Sequence, residues 1–237
     1  MRNYLIQYIV IIGLSISSIF SQAVSKTGTS AGQFLKIGVG SRAIGLGGAF
    51  TAIADDASSL YWNPSGIANN KTLSIFVDHY DWILDIEMDY IGFIIPLGNA
   101  GNLGISTNYL HMGEMDVTST KNPEGTGEKF SAASYLGQIS YARNLTERFS
   151  LGSSIKLIKE SIWNSAATGI AIDIGTLYES TFPGLKLGMS ISNYGSKMKM
   201  DGRDLLVQTD LDPSLESDPE NLNSNLMTDE FDLPMIF

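Results

Sequence analysis

From Thr72 to Ser192 apolar and polar positions alternate with a period of two, the pattern of strands that present one apolar face. Leu73, Ile75 and Val77 share a face opposite Thr72, Ser74 and Asp78. Next come Ile86, Met88, Tyr90 and Ile94, set against Glu87 and Asp89 and ending at Pro96. Leu103, Ile105, Thr107 and Tyr109 oppose Gly104, Ser106 and Asn108, and Ala133, Tyr135, Ile139 and Tyr141 oppose Ser134, Gln138 and Ser140. The fifth strand sets Phe149, Leu151, Ile155 and Leu157 against Ser150, Gly152, Ser154 and Lys156. The sixth sets Ile170, Ile172, Ile174 and Tyr178 against Gly169, Asp173 and Gly175. In the seventh, Leu185, Leu187, Met189 and Ile191 oppose Lys186, Gly188, Ser190 and Ser192.

The connections carry a second pattern. Residues 97–102, 144–148 and 180–184 read as short turns, whereas 79–85, 112–129, 160–166 and the acidic stretch 193–232 read as longer loops. Short turns at one end and long loops at the other are the arrangement of an outer-membrane barrel. Leu-Gly-x-Ser recurs at 103–106, 151–154 and 187–190, each time just after a short turn. In a strand this puts Leu and x on one face, Gly and Ser on the other.

Composition favours lipid over a packed sandwich core as the neighbour of the apolar face. Charged residues are 17% of the 237-residue chain and hydrophobic residues 43%, so charge is low against the roughly 25% usual in soluble proteins. The face opposite the aliphatic one is built of Gly, Ser, Thr and Asn, which suits a lumen better than a core. Tyr80, Trp82, Tyr109, Tyr141, Trp163 and Tyr178 fall near strand ends, as interfacial aromatic girdles do. Residues 1–23 read as a signal peptide, with Arg2 ahead of an apolar run and small residues at Ser21 and Ala23. The protein is accordingly expected in the outer membrane of a Gram-negative bacterium, with outer-membrane lipid as its surroundings. A net charge of −10 argues against nucleic acid as a partner. The absence of cysteine excludes disulfides, thiolate metal sites and an N-terminal lipidated cysteine.

No catalytic constellation, metal site or cofactor site emerges, and the chain reads as a non-enzyme. His79 and His111 read as interfacial polar residues, since neither has the partners of a base or ligand. Gly38-Val39-Gly40 lacks the complete phosphate-loop pattern. Asp55-Asp56 beside Ser58-Ser59 reads as a helix cap or a solvated turn. Asp173 is placed to meet Lys156 or Lys186 across neighbouring strands. Seven strands cannot close a bacterial barrel, which starts at eight, and residues 233–237 look like the first part of an eighth. The sequence is therefore read as truncated, with about half of its barrel strands present.

Residues 47–68, Gly-Gly-Ala-Phe-Thr-Ala-Ile-Ala-Asp-Asp-Ala-Ser-Ser-Leu-Tyr-Trp-Asn-Pro-Ser-Gly-Ile-Ala, resemble the signature of the FadL-like outer-membrane superfamily, with Asn63, Pro64 and Gly66 as the signature turn. Residues 31–38 and 40–43 resemble its PorV/PorQ branch, and 191–195 resemble that branch's Asn-x-Gly strand ending. The resemblance implies an all-β, transmembrane antiparallel barrel of FadL-like type, with roughly fourteen strands. Residues 24–70 would form an N-terminal plug and 71–237 a partial barrel. It also implies two alternative functions. One is a component of type IX protein secretion that handles secreted cargo proteins or a secretion channel, to which the acidic 201–230 segment lends itself. The other is transport of long-chain fatty acids or other small hydrophobic ligands past Phe34, Leu35, Ile37, Leu46, Phe50 and Ile53.

Overall fold

The computed structural model describes residues 30–209 and 222–237. The expected signal peptide and residues 210–221 of the acidic stretch lie outside the described residues. The chain is all-β with short helical pieces. A 3-10 turn at Gln33–Lys36, α1 (Ser41–Gly45), α2 (Ser59–Trp62) and a second 3-10 turn at Pro64–Asn69 precede the strands. Then come β1 (Ser74–Asp81), β2 (Ile86–Pro96), β3 (Asn102–Met112), β4 (Met115–Asp116), β5 (Lys129–Phe130) and β6 (Ala132–Thr146). They are followed by β7 (Phe149–Ile162), β8 (Ser165–Glu179), β9 (Lys186–Gly195), β10 (Asp201–Gly202), β11 (Leu206–Thr209) and β12 (Leu222–Asn225).

The main sheet has eight strands in the order β1-β2-β3-β6-β7-β8-β10, with β9 also on β8. All its pairings are antiparallel. β4 with β5, and β11 with β12, form small separate hairpins. The expected eighth strand at 233–237 is a single bridge, Ser192 to Ile236. Among the described residues no helix is long and apolar enough to cross a membrane, which leaves the strands as a separate question.

One face of the sheet is covered by the N-terminal segment and the other is bare. The bare face is the aliphatic one. Cross-strand partners Ile75, Phe93, Ile105, Ile139, Ile155, Ile172 and Tyr194 form one unbroken row across it. Every member of that row is exposed, Ile155 at 63%. The covered face carries Asn102, Ser106, Asn108, Gln138, Ser140, Ser154, Lys156 and Asp173, all buried. This is the reverse of a water-soluble sheet, in which the aliphatic face is the buried one.

Three sequence expectations are corrected. In β2 the face of Met88, Tyr90 and Ile94 is the covered one, all three fully buried, while Phe93 lies on the bare face. From Ile91 to Ile95 β2 carries apolar residues on both faces, so alternation there does not choose between them; the register with β1 and β3 does. The loops are also less sorted than expected. The β1–β2 connection is only residues 82–85 and the β7–β8 turn only Trp163 and Asn164. Leu84, Asp85 and Trp163 make these tight turns by adopting positive φ, at 53°, 56° and 48°. Such backbone is uncommon outside glycine and is not anticipated from those residue types. Finally, Tyr80 faces the covered side, where its hydroxyl donates to the Gly38 carbonyl at 3.0 Å, so it is no girdle residue.

Candidate functional site

The feature around which the covered face is built is the turn Tyr61-Trp62-Asn63-Pro64-Ser65-Gly66. Pro64 opens the 3-10 turn, where its fixed φ suits a helical start and its missing N–H costs nothing. Asn63 precedes it in extended conformation, as a residue before proline must. Its side chain is fully buried and fully used: Oδ1 accepts from Ser65 N at 3.1 Å and Ser65 Oγ at 2.7 Å. Nδ2 donates to the carbonyls of Thr51 at 2.8 Å and Thr176 at 3.2 Å. One amide thus ties the turn to itself, to the segment before it, and to β8.

Similar side chain to backbone bonds join the segment to the sheet along its length. Gln138 Nε2 donates to the Leu60 carbonyl at 2.7 Å, Ser190 Oγ to that of Trp62 at 3.2 Å, and Asn102 Nδ2 to those of Ile67 and Asn70 at 2.5 and 2.7 Å. At the other end Asp78 accepts from Gly40 N at 2.7 Å and Glu160 from Gly32 N at 3.1 Å. Because the segment has little regular structure, its backbone groups need such partners once buried. The polar face of the sheet supplies them.

The strand glycines make the approach possible. A Cβ on Gly104 would overlap Leu60, one on Gly152 the backbone of Pro64 and Ser65, one on Gly175 the Asn63 side chain and Pro64, and one on Gly188 the backbone of Thr51 and Ala52. Gly104, Gly152 and Gly188 are the glycines of the three Leu-Gly-x-Ser repeats, so the repeat marks where the segment presses on the sheet. Their serine partners Ser154 and Ser190 join the same contact, Ser154 through Gln138 at 3.1 Å and Ser190 directly.

Beside this turn lies a buried ion pair. Asp173 is 0% exposed and meets Lys156 Nζ at 2.6 Å; Lys156 also donates to Asn193 Oδ1 at 2.8 Å, and the Asn193 N–H to Asp173 at 2.8 Å. Asn193 sits at a register shift between β8 and β9 with φ of 62°, a bulge that turns its amide inward. Its Nδ2 donates to the Pro234 carbonyl at 3.1 Å and so holds residues 233–237. Lys186, the other partner considered for Asp173, pairs with Glu179 at 2.7 Å instead.

The residues proposed to line a plug do not share one surface. Phe34 and Leu35 are buried with Leu136, Ile158, Met198 and Leu233, and Ile37 is partly buried against that cluster. Phe50 is buried elsewhere, with Ala43, Ala54 and Trp62. Leu46 and Ile53 are exposed, at 49% and 38%. Both lie within four residues of buried Phe50 in sequence; in space the chain turns at Gly47 and Gly48, both at positive φ, and Leu46 is left outside. Within the segment, burial pushes the Tyr61 phenol up, with Tyr80, Tyr90 and Asp173 acting in the same direction. Arg42 is raised by its hydrogen bond to Asp55, then by that to Asp56, with contacts of 2.5 and 3.1 Å. Asp56 also accepts from Ser58 N at 2.8 Å, so this pair of acids shapes a turn. Gln138, Lys156, Asp173 and Asn193 form the site together with the turn, and only Asp173 with Lys156 had a legible signal, as opposite charges on facing strands.

At the opposite end from the short 97–101 turn, Asp204 fastens the β10 region to the β7–β8 turn. It accepts from Asn164 N at 2.9 Å, Asn164 Nδ2 at 3.1 Å and Ser165 Oγ at 3.1 Å. Desolvation by neighbouring atoms pulls its exposed carboxyl upward, but the Asn164 and Ser165 hydrogen bonds and Arg203 outweigh this and hold it below the usual carboxylate range. Since the folded value is depressed, this fastening is fully present above the ordinary carboxylate pKa and is lost as pH falls through the lowered one. The protection factor of the Asn164 amide, the unstructured exchange rate over its own at each pH, should therefore stay high at mildly acidic pH and fall only below the normal carboxylate range. In Asp204→Asn it should be low and free of that acid transition.

The class these observations define is an all-β antiparallel sheet with its aliphatic face bare and an irregular N-terminal segment hydrogen-bonded to its polar face. The chain belongs to the uncharacterised protein family UPF0164, whose model matches residues 13–209. It is 23% identical over 207 residues to one UPF0164 protein of Treponema pallidum (strain Nichols) and 26% identical over 171 residues to another. These matches cover 81% and 68% of this chain but 63% and 43% of the relatives, so the chain spans less than two thirds of either. No solved structure matches it. The family match replaces the PorV/PorQ and FadL-like assignment, to which none of the matched proteins points. The small residues and Asn-Pro-Ser-Gly turn that suggested that assignment have a local physical cause, since they are what lets an irregular segment lie against a glycine-bearing sheet.

Proposed function

We propose that this chain forms the lipid-facing wall of an outer-membrane β-barrel with the N-terminal segment held on the lumen side. In this reading it is a non-enzymatic component that engages exported proteins at its loop end. The observation that carries the membrane reading is the inversion of burial: an exposed aliphatic row crossing seven strands above a buried polar face. Exposed apolar patches on soluble monomers rarely exceed a few hundred Å², and lipid is a neighbour that makes this one favourable. Strand lengths agree. β2 and β3 have 11 residues, β6 and β8 have 15, β7 has 14 and β9 has 10, while β1 at the sheet edge has 8, against the roughly 9–11 a tilted strand needs to span.

The test is an arginine in the middle of the row. Ile155→Arg should destabilise the protein refolded into lipid vesicles by about 2–4 kcal/mol, and Thr168→Arg, near the end of the band, by about 0–1 kcal/mol. If Ile155→Arg instead improves solubility in buffer and leaves stability unchanged, the sheet faces water and the membrane reading fails. Engagement of exported proteins is tested by copurification with and without the 201–230 segment; a partner retained after its deletion removes that role.

One observation favours a second role, carriage of small hydrophobic compounds. A mainly apolar cleft of about 430 Å³ at the loop end is lined by Val117, Phe130, Ile162, Trp163, Met200 and Leu205 together with Asp116 and Asp204, within the size range of ligand pockets. An acyl chain or alkane recovered from purified protein, and lost in Trp163→Asp, would select this role over protein engagement.

A further inference from the structure

Three side chains on the covered face of β2 and β3 stand apart from the hydrogen-bond network described above. Tyr90 Oη, Ser106 Oγ and both amide atoms of Asn108 are buried and have no hydrogen-bond partner among the described residues. They belong together. Tyr90 and Asn108 are direct cross-strand partners, whose Cβ atoms lie about 4.5–5.5 Å apart. Ser106 is two residues from Asn108 on the same face, with its hydroxyl within reach of the Tyr90 hydroxyl, so these two can bond each other while both amide atoms of Asn108 stay unserved. Val39, Met88 and partly buried Tyr61, Phe76 and Leu110 surround Tyr90 and separate it from solvent. The neighbouring polar groups are already engaged. Gln138, the cross-strand partner of Ser106, gives its amide to Leu60, Ser140 and Ser154, and Asp173 is held by Lys156 and Asn193.

Orphaned buried polar atoms are rare, and a native fold satisfies them with protein or ordered water. We infer that Tyr90, Ser106 and Asn108 together hold internal water. The donor and acceptor inventory selects that ligand. The two hydroxyls can each donate or accept, while Asn108 presents one group that only donates and one that only accepts. A cation would leave Asn108 Nδ2 without a partner, an anion would leave Oδ1 without one, and an apolar solute would satisfy none. Water both donates and accepts, and each buried molecule makes about three hydrogen bonds. Around one or two molecules suffice for the four atoms. The contact of the N-terminal segment with β2 and β3 is then partly water-mediated, unlike its direct contact with β6, β7 and β8. This inference stands on the covered face alone and does not depend on what the bare face meets.

Radiolytic hydroxyl-radical footprinting of the whole chain tests it, because radicals formed from a bound water label the side chain next to it even when that side chain is inaccessible. Tyr90 should be labelled severalfold more than Phe50, which is equally buried but lies among Ala43, Ala54 and Trp62. In H₂¹⁸O the label on Tyr90 should take up the heavy isotope more slowly than the label on exposed Tyr178. The double variant Ser106→Ala/Asn108→Leu should bring Tyr90 labelling down to the Phe50 level and raise the unfolding midpoint. Labelling of wild-type Tyr90 no higher than that of Phe50 would overturn the inference, whether or not the double variant folds. So would an organic solute extracted from the wild type and absent from the variant, since the occupant would then not be water.

Discussion

Asp173→Ala should lower the unfolding free energy by about 3–5 kcal/mol, the usual result of leaving a buried charge without its partner. Lys156 is 3% exposed and cannot reach water without moving the segment above it. Its remaining partner, Asn193 Oδ1, is neutral. The Asn193 N–H loses its acceptor in the same substitution, so the bulge between β8 and β9 loosens and with it the hold on Pro234. Lys156→Met/Asp173→Leu is expected to behave quite differently. Removing both charges together removes both desolvation penalties, and such replacements are often neutral or stabilising by about 1–4 kcal/mol. Urea unfolding of the single and double variants, refolded under the same conditions, measures the contrast. Equal loss in both would mean that the site needs the shape of these side chains and not the neutralisation of their charge.

Gly152→Ala should be among the most damaging single methyls in the sheet and the one aimed at the Pro64 turn. Its Cβ would lie 2.5 Å from the Pro64 carbonyl carbon, and the obstacle is backbone that cannot rotate away. Overpacking usually costs about 1–3 kcal/mol and occasionally more; with a rigid obstacle the upper end is expected, together with detachment of the turn. Gly137→Ala provides the contrast. Gly137 lies on the bare face with nothing within 4 Å of the added methyl, and glycine weakens a strand interior, so this change should be neutral or slightly stabilising. Protease sensitivity of the 61–66 turn, measured beside the unfolding midpoint, distinguishes detachment from general loss of stability. If the two alanines behave alike, the close approach of turn and sheet is not what fixes the segment.

Much of this arrangement was legible in the chain. Alternation placed Ile105, Ile139, Ile155 and Ile172 on a common face because the positions flanking them in their strands, among them Gly104, Ser106, Gln138, Ser140, Ser154, Lys156 and Asp173, are mostly polar or small. Leu-Gly-x-Ser announced three sites of similar geometry, although their purpose, space for the Pro64 turn and its neighbours, appears only when the segment is in place. The family that matches is UPF0164 and not the PorV/PorQ branch that residues 31–43 and 47–68 suggested. Loop lengths were misread because Leu84, Asp85 and Trp163 adopt positive φ, which their types do not favour.

The sequence by itself determined that the chain is all-β, which face of most strands is aliphatic, and that its charge and lack of cysteine exclude several chemistries. These are local properties, set by side-chain order at a period of two. Tertiary structure alone decided the facing of β2, where Ile91, Phe93 and Ile95 make the second face apolar too and register with β1 and β3 discriminates. It chose Lys156 over Lys186 for Asp173, since cross-strand distance depends on register and on the bulge at Asn193. It also separated Leu46 and Ile53 from Phe34, Leu35 and Phe50. These outcomes depend on residues distant in sequence, and no pattern within one segment encodes them.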